Sequence, residues 1–166
     1  MADVTAIIDS RQILDSGERR EFATGAARDI ADGKGRCDLL PLAVLGERIN
    51  SKELVMIEDF VRTGNTIPLD CVLDTFANRQ YNGDVMTMYL EVSKHYEDGA
   101  KKYAERNWEI GIPLHCYIDS GVRHLLKYFR GDTDEPHDRA FVWNILGAIW
   151  TINNMPELNE LPCSKR

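Results

Sequence analysis

The sequence predicts an all-α fold, and three observations lead to this prediction. Apolar residues recur at intervals of three and four along most of the chain, the spacing that forms one face of a helix. Residues that commonly begin or end helices flank these stretches. No segment of useful length alternates strictly between apolar and polar residues, as a half-buried strand would. We therefore expect a helical bundle rather than a sheet.

Three short helices are predicted in the first half of the chain. Pro41 suits a first helical turn, and apolar residues at helical spacing follow it to about Ile49. Ser51 is a suitable N-cap for the second helix, which ends before Gly64. The third helix covers 70–78, a stretch with three large apolar side chains.

Three longer helices are predicted in the second half. The first runs over about 84–106, and the second follows Pro113 and stops at Gly131. The third covers about 134–153, where two acids and Pro136 suit the positive end of the helix dipole. These helices carry most of the residues that point to a function.

The chain is predicted to form one domain because 166 residues are too few for two ordinary ones. Residues 1–20 mix charged and small apolar groups without a period, so we expect a flexible arm there and a single domain over 21–166. Between Phe22 and Leu40, glycines with nearby cations suggest a loop that approaches a ligand, although an ordinary surface loop fits as well.

Composition excludes several classes of protein. The net charge of −7 argues against a general nucleic-acid binder, which needs a basic surface. No apolar run approaches the roughly 20 residues that a membrane span requires. The four cysteines are scattered without a CxxC pair, which favours free thiols in a reducing compartment. The amino terminus lacks the basic flank of a secretory signal. We expect a cytoplasmic protein with no membrane partner.

All four histidines fall in the second half of the chain, and three of them suggest a common site. His124 occupies a face of small residues on one predicted helix, and His137 shares a face with Asn144 on the next. His95 and Asp98 lie on one stripe of the preceding long helix. A single histidine of this kind is more often structural, but these three helices could converge on one ion or phosphate group.

Cations and aromatic residues near these helices suit an anionic ligand. His115 lies on the opposite side of its helix from His124, so we leave it out of the site. Tyr103 and Trp108 could stack on a base, although an aromatic residue is more often part of the core. The cations that could neutralise a polyphosphate are Lys34, Arg36, Lys102, Arg123 and Lys127.

Several uncommon short motifs occur in a fixed order along the chain. They are Phe22-Ala-Thr-Gly-Ala-Ala-Arg-Asp29, Lys34-Gly-Arg-Cys-Asp-Leu-Leu-Pro41, the stretch from His95 to Trp108, Arg123-His124 and Trp143-Asn144. Together they resemble the phage-associated domain of dATP/dGTP diphosphohydrolases, over about 22–41 and 92–153. The segment 42–91 then looks like a helical insertion that is longer than usual.

This resemblance implies an all-α fold related to MazG-like nucleotide pyrophosphohydrolases. Such enzymes use Mg²⁺, held by helix carboxylates, to cut a (deoxy)nucleoside triphosphate to a monophosphate and pyrophosphate, and they often build their sites between subunits. We therefore expect a homo-oligomer. Aligning the ExxE and ExxD acids of the MazG-like pattern places them at Gly121, His124, His137 and Ala140, none of which is a carboxylate.

The resemblance leads to a metal-dependent pyrophosphohydrolase of purine nucleoside triphosphates as the main hypothesis. We expect His124, His137 and Asp98 nearest to a divalent ion, Mg²⁺ or Mn²⁺, with help from His95 or Asp134. The residues expected to hold phosphates, base and sugar are Lys34, Arg36, Lys102, Tyr103, Asn107, Trp108, Arg123, Lys127 and Asn144. The alternative is a phage protein that sequesters a nucleotide or a cyclic-nucleotide defence signal without cleaving it. A structural role in a helical oligomer is a third possibility.

Overall fold

The structure is a computed structural model that describes residues 11–165, and most of these residues are helical. The α-helices are α1 (Leu42–Ile49), α2 (Lys52–Thr63), α3 (Ile67–Tyr81), α4 (Val85–Lys102), α5 (Asn107–Ile110), α6 (Leu114–Arg130) and α7 (His137–Asn154). Strands β1 (Arg19–Glu21) and β2 (Ala27–Asp29) form a small antiparallel hairpin in which Arg20 pairs with Arg28. The prediction of an all-α fold is confirmed, with this hairpin as an addition.

Most helix ends lie where the sequence predicts them. The Ser51 hydroxyl accepts a hydrogen bond from the Leu54 N–H and caps α2. The Asp84 side chain accepts one from the Thr87 N–H and caps α4 in the same way. Gly131 ends α6 in a left-handed conformation, which glycine adopts without a steric cost.

Helix α4 ends earlier than the sequence predicts, and α5 is an additional helix that the sequence patterns do not predict. The chain leaves α4 at Tyr103, which has non-helical backbone angles, and turns at Arg106 in a left-handed conformation before α5 begins. The prediction of one helix over 84–106 is wrong at its last turn. The apolar spacing continues through this turn, so periodicity alone gave no sign of the break.

The hairpin escaped the sequence analysis because each of its strands has only three residues, too few for alternation to show. It is held against α5 by Asn107, whose amide donates to the Ala27 carbonyl and accepts from the Ala27 N–H. The Asp29 N–H also donates to the Tyr103 hydroxyl. These bonds replace the pairing that a neighbouring strand would supply, and they fix the position of Arg28.

The α6–α7 pair is the centre of the fold, and α4 and α3 pack against α7. Small residues allow the close approach of α6 and α7: a Cβ at Gly147 would lie 2.2 Å from the Tyr117 ring, and one at Gly121 would lie 3.2 Å from Asn144. Helices α1, α2 and α3 pack on one another in sequence order. The C-terminal half of α4 and the α6–α7 pair therefore face a common space.

Residues 1–10 of the predicted arm lie outside the described residues. Within the remainder of that arm, the Leu14 carbonyl accepts a hydrogen bond from Lys102, and its N–H donates to the Glu135 carboxylate. The segment 42–91 is helical apart from its turns, whereas its status as an insertion stays a prediction. Over residues 11–165, none of the helices combines the length and apolar character needed to span a membrane.

Candidate functional site

A cavity of about 600 Å³ lies where β2 and the loop after it meet α4, α5, α6 and α7. Its volume is in the range of small-molecule sites, about 300–1,000 Å³. The predicted site residues that line it are Lys34, His95, Lys102, Tyr103, Asn107, Trp108, Arg123, His124 and Lys127. The tertiary structure thus brings residues separated by more than ninety positions to one surface.

Cations dominate the wall of this cavity. Seven of its lining residues are lysine or arginine and four are acidic, although the whole chain has a net charge of −7. The lining cations are Arg20, Arg28, Lys34, Lys102, Arg106, Arg123 and Lys127. Lys127 makes no ion pair with any carboxylate of residues 11–165, whereas Arg123 lies 2.6 Å from Asp119. The local balance of charge favours an anionic ligand.

Two histidines meet at one end of the cavity. His124 on α6 and His137 at the start of α7 have their Nδ1 atoms 2.9 Å apart, and His137 is only 1% exposed. Glu135 precedes α7, and its Oε1 lies 3.7 Å from His124 Nδ1 and 3.8 Å from His137 Nδ1. Burial and the neighbouring His137 hold the pKa of His124 well below its usual value, so this imidazole is neutral near pH 7.

Asp134 fixes the proton on His137. Its carboxylate Oδ1 lies 2.7 Å from His137 Nε2, and this hydrogen bond lowers the pKa of Asp134. An ionised carboxylate can only accept, so Nε2 of His137 carries the proton and Nδ1 presents a lone pair. The same arrangement of carboxylate and histidine orients the imidazole ligands of many metal sites.

The group formed by His124, Glu135 and His137 has the donor set of a transition-metal site. Two imidazole nitrogens and a carboxylate oxygen suit ions such as Mn²⁺ or Zn²⁺ better than Mg²⁺, which prefers oxygen. At the observed separations, the three atoms can all lie about 2.0 Å from one centre, a distance typical of such ions. His124 and Glu135 line the cavity, so the group opens onto it.

Asp132 and Asp134 form a second group with His137, and it is less suited to the cavity. Asp132 is engaged by Arg130, whose Nε donates to it over 2.7 Å. Asp134 is 46% exposed, and neither acid lines the cavity. Among the described residues, the group with Glu135 is therefore the better candidate for an ion in contact with a bound ligand.

His95 lines the cavity but does not join the histidine pair. Its Nδ1 is buried without a hydrogen-bond partner in the described structure, and its ring lies 5.7 Å from the Trp143 ring. Burial, with the charge of Arg28, lowers the pKa of His95 to about 3. The ring therefore stays neutral at physiological pH, with one nitrogen free to bond a ligand or a water molecule.

The residues predicted to orient base and sugar have mixed positions. Trp108 lines the cavity and contacts Tyr96 and Trp150 edge to face. Asn107 also lines it, but its amide is committed to the backbone of β2. Asn144 is buried behind the wall, where its Oδ1 accepts a hydrogen bond from Arg28. Asn144 thus touches the cavity only through another side chain.

Four predicted site residues do not line the cavity: His137 and Asn144 are buried beside it, whereas Asp98 and Arg36 lie away from it. His95 and Gly99 on α4, and Tyr103 just after its end, face the cavity at helical spacing, and Asp98 falls outside that stripe. Glu135 occupies the place beside the two histidines that the sequence predicts for Asp98. Arg36 is bound to Asp38 and lines a separate surface pocket with His115.

Three residues of the site are not predicted by the sequence patterns: Glu135, Arg28 and Trp143. Glu135 was interpreted only as part of an acidic helix start, although it stands two residues before His137. Arg28 and Trp143 belong to the short motifs that carry the family resemblance, and membership of these motifs is the one sequence feature that could have indicated them. Nothing in their local sequence shows that they meet across the cavity, where the Arg28 guanidinium lies 5.2 Å from the Trp143 ring.

The fold and the cavity define an all-α protein with a cation-rich pocket of small-molecule size. A family model described as dATP/dGTP diphosphohydrolase, N-terminal, matches residues 77–160, just over half of the chain. The chain therefore belongs to this family of nucleotide hydrolases, and the resemblance seen in the sequence is confirmed. The matched region contains His124, Glu135 and His137 but not the hairpin. No curated protein and no solved structure matches the chain.

Proposed function

We propose that the chain is a metal-dependent, MazG-like pyrophosphohydrolase that converts a purine (deoxy)nucleoside triphosphate to a monophosphate and pyrophosphate. One observation carries the proposal: the group of His124, Glu135 and His137 lies on the wall of a cavity in which cations outnumber acids. The family match supports a nucleotide as the ligand. We also propose that the protein acts in the cytoplasm.

The two histidines and Glu135 would hold the divalent ion, and their donor atoms favour Mn²⁺ over Mg²⁺. A bound ion of this kind lowers the pKa of water and offsets negative charge on phosphoryl oxygens. Asp134 keeps His137 in the tautomer that this role requires. None of these assignments uses Asp98.

The cations of the cavity would bind the triphosphate. Lys127 has no carboxylate partner in the described structure, and burial lowers the pKa of Lys34, which lies 4.0 Å from Asp29. Lys102 and Arg123 are already paired with acids, so they contribute less free charge. Water would attack the α-phosphorus, the bond to the bridging oxygen would break, and pyrophosphate would leave while the water protons pass to solvent.

The aromatic wall would hold the base, and His95 would bond a water molecule or a ligand hydroxyl. Trp108 and Trp143 supply flat apolar surface, as base stacking requires. Because the pKa of His95 is lowered to about 3, this side chain is a weak base. We therefore assign it a hydrogen-bonding role rather than that of the general base.

The test is to incubate the protein with a panel of nucleoside triphosphates and Mg²⁺, Mn²⁺, Co²⁺ or a chelator, and to separate the products. We expect monophosphate and pyrophosphate only when an ion is present. Replacing both His124 and His137 with alanine should reduce the rate by at least about 100-fold, while His115→Ala, on the same helix but outside the cavity, should retain it. Full activity of the double variant would exclude the proposed site.

Sequestration of a nucleotide or cyclic nucleotide is the second candidate function. It is favoured by the absence of carboxylates at Gly121, His124, His137 and Ala140, where the MazG-like pattern has its acids. A sequestering protein would release the intact ligand after heat denaturation. The same chromatography distinguishes the two candidates, because only hydrolysis yields pyrophosphate.

We also propose that the protein is a homo-oligomer. Met86 and Leu90, one turn apart on α4, are 72% and 69% exposed and offer an apolar surface to a second copy. Light scattering coupled to size-exclusion chromatography tests this, and a strict monomer at micromolar concentration would reject it.

A further inference from the structure

Arg28 lies in the wall of the cavity, between β2 and the α6–α7 pair. Successive residues of a strand point to opposite sides, so Arg28 faces α6 and α7 while Asp29 faces away. Arg28 donates hydrogen bonds to the Cys116 carbonyl, the Ser120 hydroxyl and the Asn144 amide oxygen, at 3.2 to 3.3 Å. Two helices, α6 and α7, thus hold its guanidinium in place.

All three acceptors are neutral. Among residues 11–165, no carboxylate oxygen lies within 4.0 Å of the Arg28 guanidinium, because Asp29 is turned toward Lys102 instead. The rings of Trp143 and Tyr117 lie 5.2 and 5.7 Å from the guanidinium carbon. Burial in these surroundings lowers the pKa of Arg28. Arg28 is half-buried in the cavity wall, and a charge that is partly withdrawn from water without a counter-ion is costly to the folded protein.

The position of Arg28 relative to the histidine pair suggests what compensates this cost. Ser120 and His124 are one turn apart on α6, so they lie on one face and about 6 Å apart along the axis. Asn144 and His137 similarly share a face of α7, two turns apart. Arg28 therefore lies on the same wall as the proposed ion site, a short distance along it.

We propose that Arg28 binds a phosphoryl group of the ligand and is the residue through which the cavity selects a polyphosphate over a neutral nucleoside. This inference rests on the proposed function for the identity of the ligand. A guanidinium presents paired donors to phosphoryl oxygens, and an anion at this point supplies the missing counter-charge. Lysine at the same position would keep the charge but lose the paired donors.

The first experiment measures the binding of inorganic pyrophosphate and of dGTP in the presence of a chelator, by isothermal titration. Arg28→Gln should weaken the binding of both by about 10- to 100-fold, the effect of losing hydrogen bonds to a charged group. Arg28→Lys should lose part of the affinity. Arg62→Gln is the matched control, because Arg62 is exposed on α2 and pairs with Glu58 alone among residues 11–165. The affinity of Arg62→Gln for pyrophosphate and for dGTP should stay within about twofold of the wild-type affinity.

The second experiment separates a binding role from a structural one. If Arg28 serves the ligand, Arg28→Gln without ligand should unfold at the same temperature as the wild type or higher, and pyrophosphate should no longer raise that temperature. A lower unfolding temperature with the pyrophosphate effect retained would overturn the proposal. Should Arg28→Gln fail to fold, Arg28→Lys decides, and wild-type affinity of that variant for pyrophosphate would overturn it equally.

The outcomes for Arg28 and for the proposed hydrolysis are separable. If the wild type binds dGTP through Arg28 but releases no pyrophosphate with any ion, the hydrolase proposal fails and the role of Arg28 stands. If the protein hydrolyses dGTP and Arg28→Gln has the same KM, the role of Arg28 fails and the hydrolase proposal stands.

Discussion

Replacing Asp134 with asparagine tests whether the ion site is the one formed by His124, Glu135 and His137. Asp134 lies 2.7 Å from His137 Nε2 and holds the proton there, which leaves Nδ1 free to bind an ion. Asparagine has no charge, so it orients and polarises the imidazole less strongly. We expect the affinity for Mn²⁺ to fall by about 10- to 100-fold, or about 1.4 to 2.7 kcal/mol, as for other partners of histidine ligands.

The assay is isothermal titration of the protein with Mn²⁺ at low ionic strength and neutral pH. Glu135→Gln should cause a larger loss than Asp134→Asn, because it removes a direct ligand. Asp132→Asn is the decisive comparison, since Asp132 belongs only to the alternative group and is engaged by Arg130. Its Mn²⁺ affinity should stay within about twofold of the wild type. A loss as large as that of Glu135→Gln would place the ion at the surface group and refute our reasoning.

Two further predictions concern stability. Gly147→Ala should lower the free energy of unfolding, measured in urea, by about 1 to 2 kcal/mol, because the new Cβ would lie 2.2 Å from the rigid Tyr117 ring. Gly99→Ala is the control: its Cβ would meet no atom within 4 Å, so this variant should not be destabilised. The Glu53 side chain is 0% exposed, and burial is the largest single influence on its pKa, which it raises. The hydrogen bonds from Arg79, Ser51 and the Glu53 N–H, with the charge of Arg79, together outweigh burial and hold this pKa below the usual 4.5. A pKa that is lower in the folded than in the unfolded protein stabilises the folded state fully above pH 4.5. This stabilisation is lost as the pH falls through the pKa of Glu53 in the folded protein. Glu53→Gln should thus lower the free energy of unfolding by about 2 kcal/mol at pH 7. Measured by denaturant unfolding at a series of pH values, the difference in this free energy between variant and wild type should become smaller below pH 4.5. A difference that does not change with pH would contradict the ion pair.

Helices were predictable where local chemistry decides their ends. Ser51 caps α2 through its own hydroxyl, and Gly131 ends α6 because it adopts a left-handed conformation without strain. The turn at Tyr103 was not predictable, since no glycine or proline marks it and the apolar spacing runs through it. The hairpin was not predictable, because its strands are too short for alternation to show and because β2 is held by the side chain of Asn107, 80 positions further along the chain.

The sequence predicted which residue types form the candidate site, but it predicted only some of the particular residues. Helical faces correctly suggested that His124 and His137 are close, because both helices are regular and pack through small residues. Asp98 was favoured by its spacing from His95, yet the rotation of α4 about its axis is set by packing against α7, and this leaves Asp98 outside the cavity. Glu135 lies in a loop, where periodicity gives no information.

The sequence by itself determined the helical class, most helix boundaries, the family and the excess of cations and histidines around one region. These properties depend on local backbone preferences and on composition, which a single stretch of chain contains. Only the tertiary structure decided that Glu135 completes the histidine group and that Arg28 faces neutral partners while Asp29 turns away. Such contacts join residues that are far apart in the sequence, and their energies depend on burial, which exists only after the helices have packed.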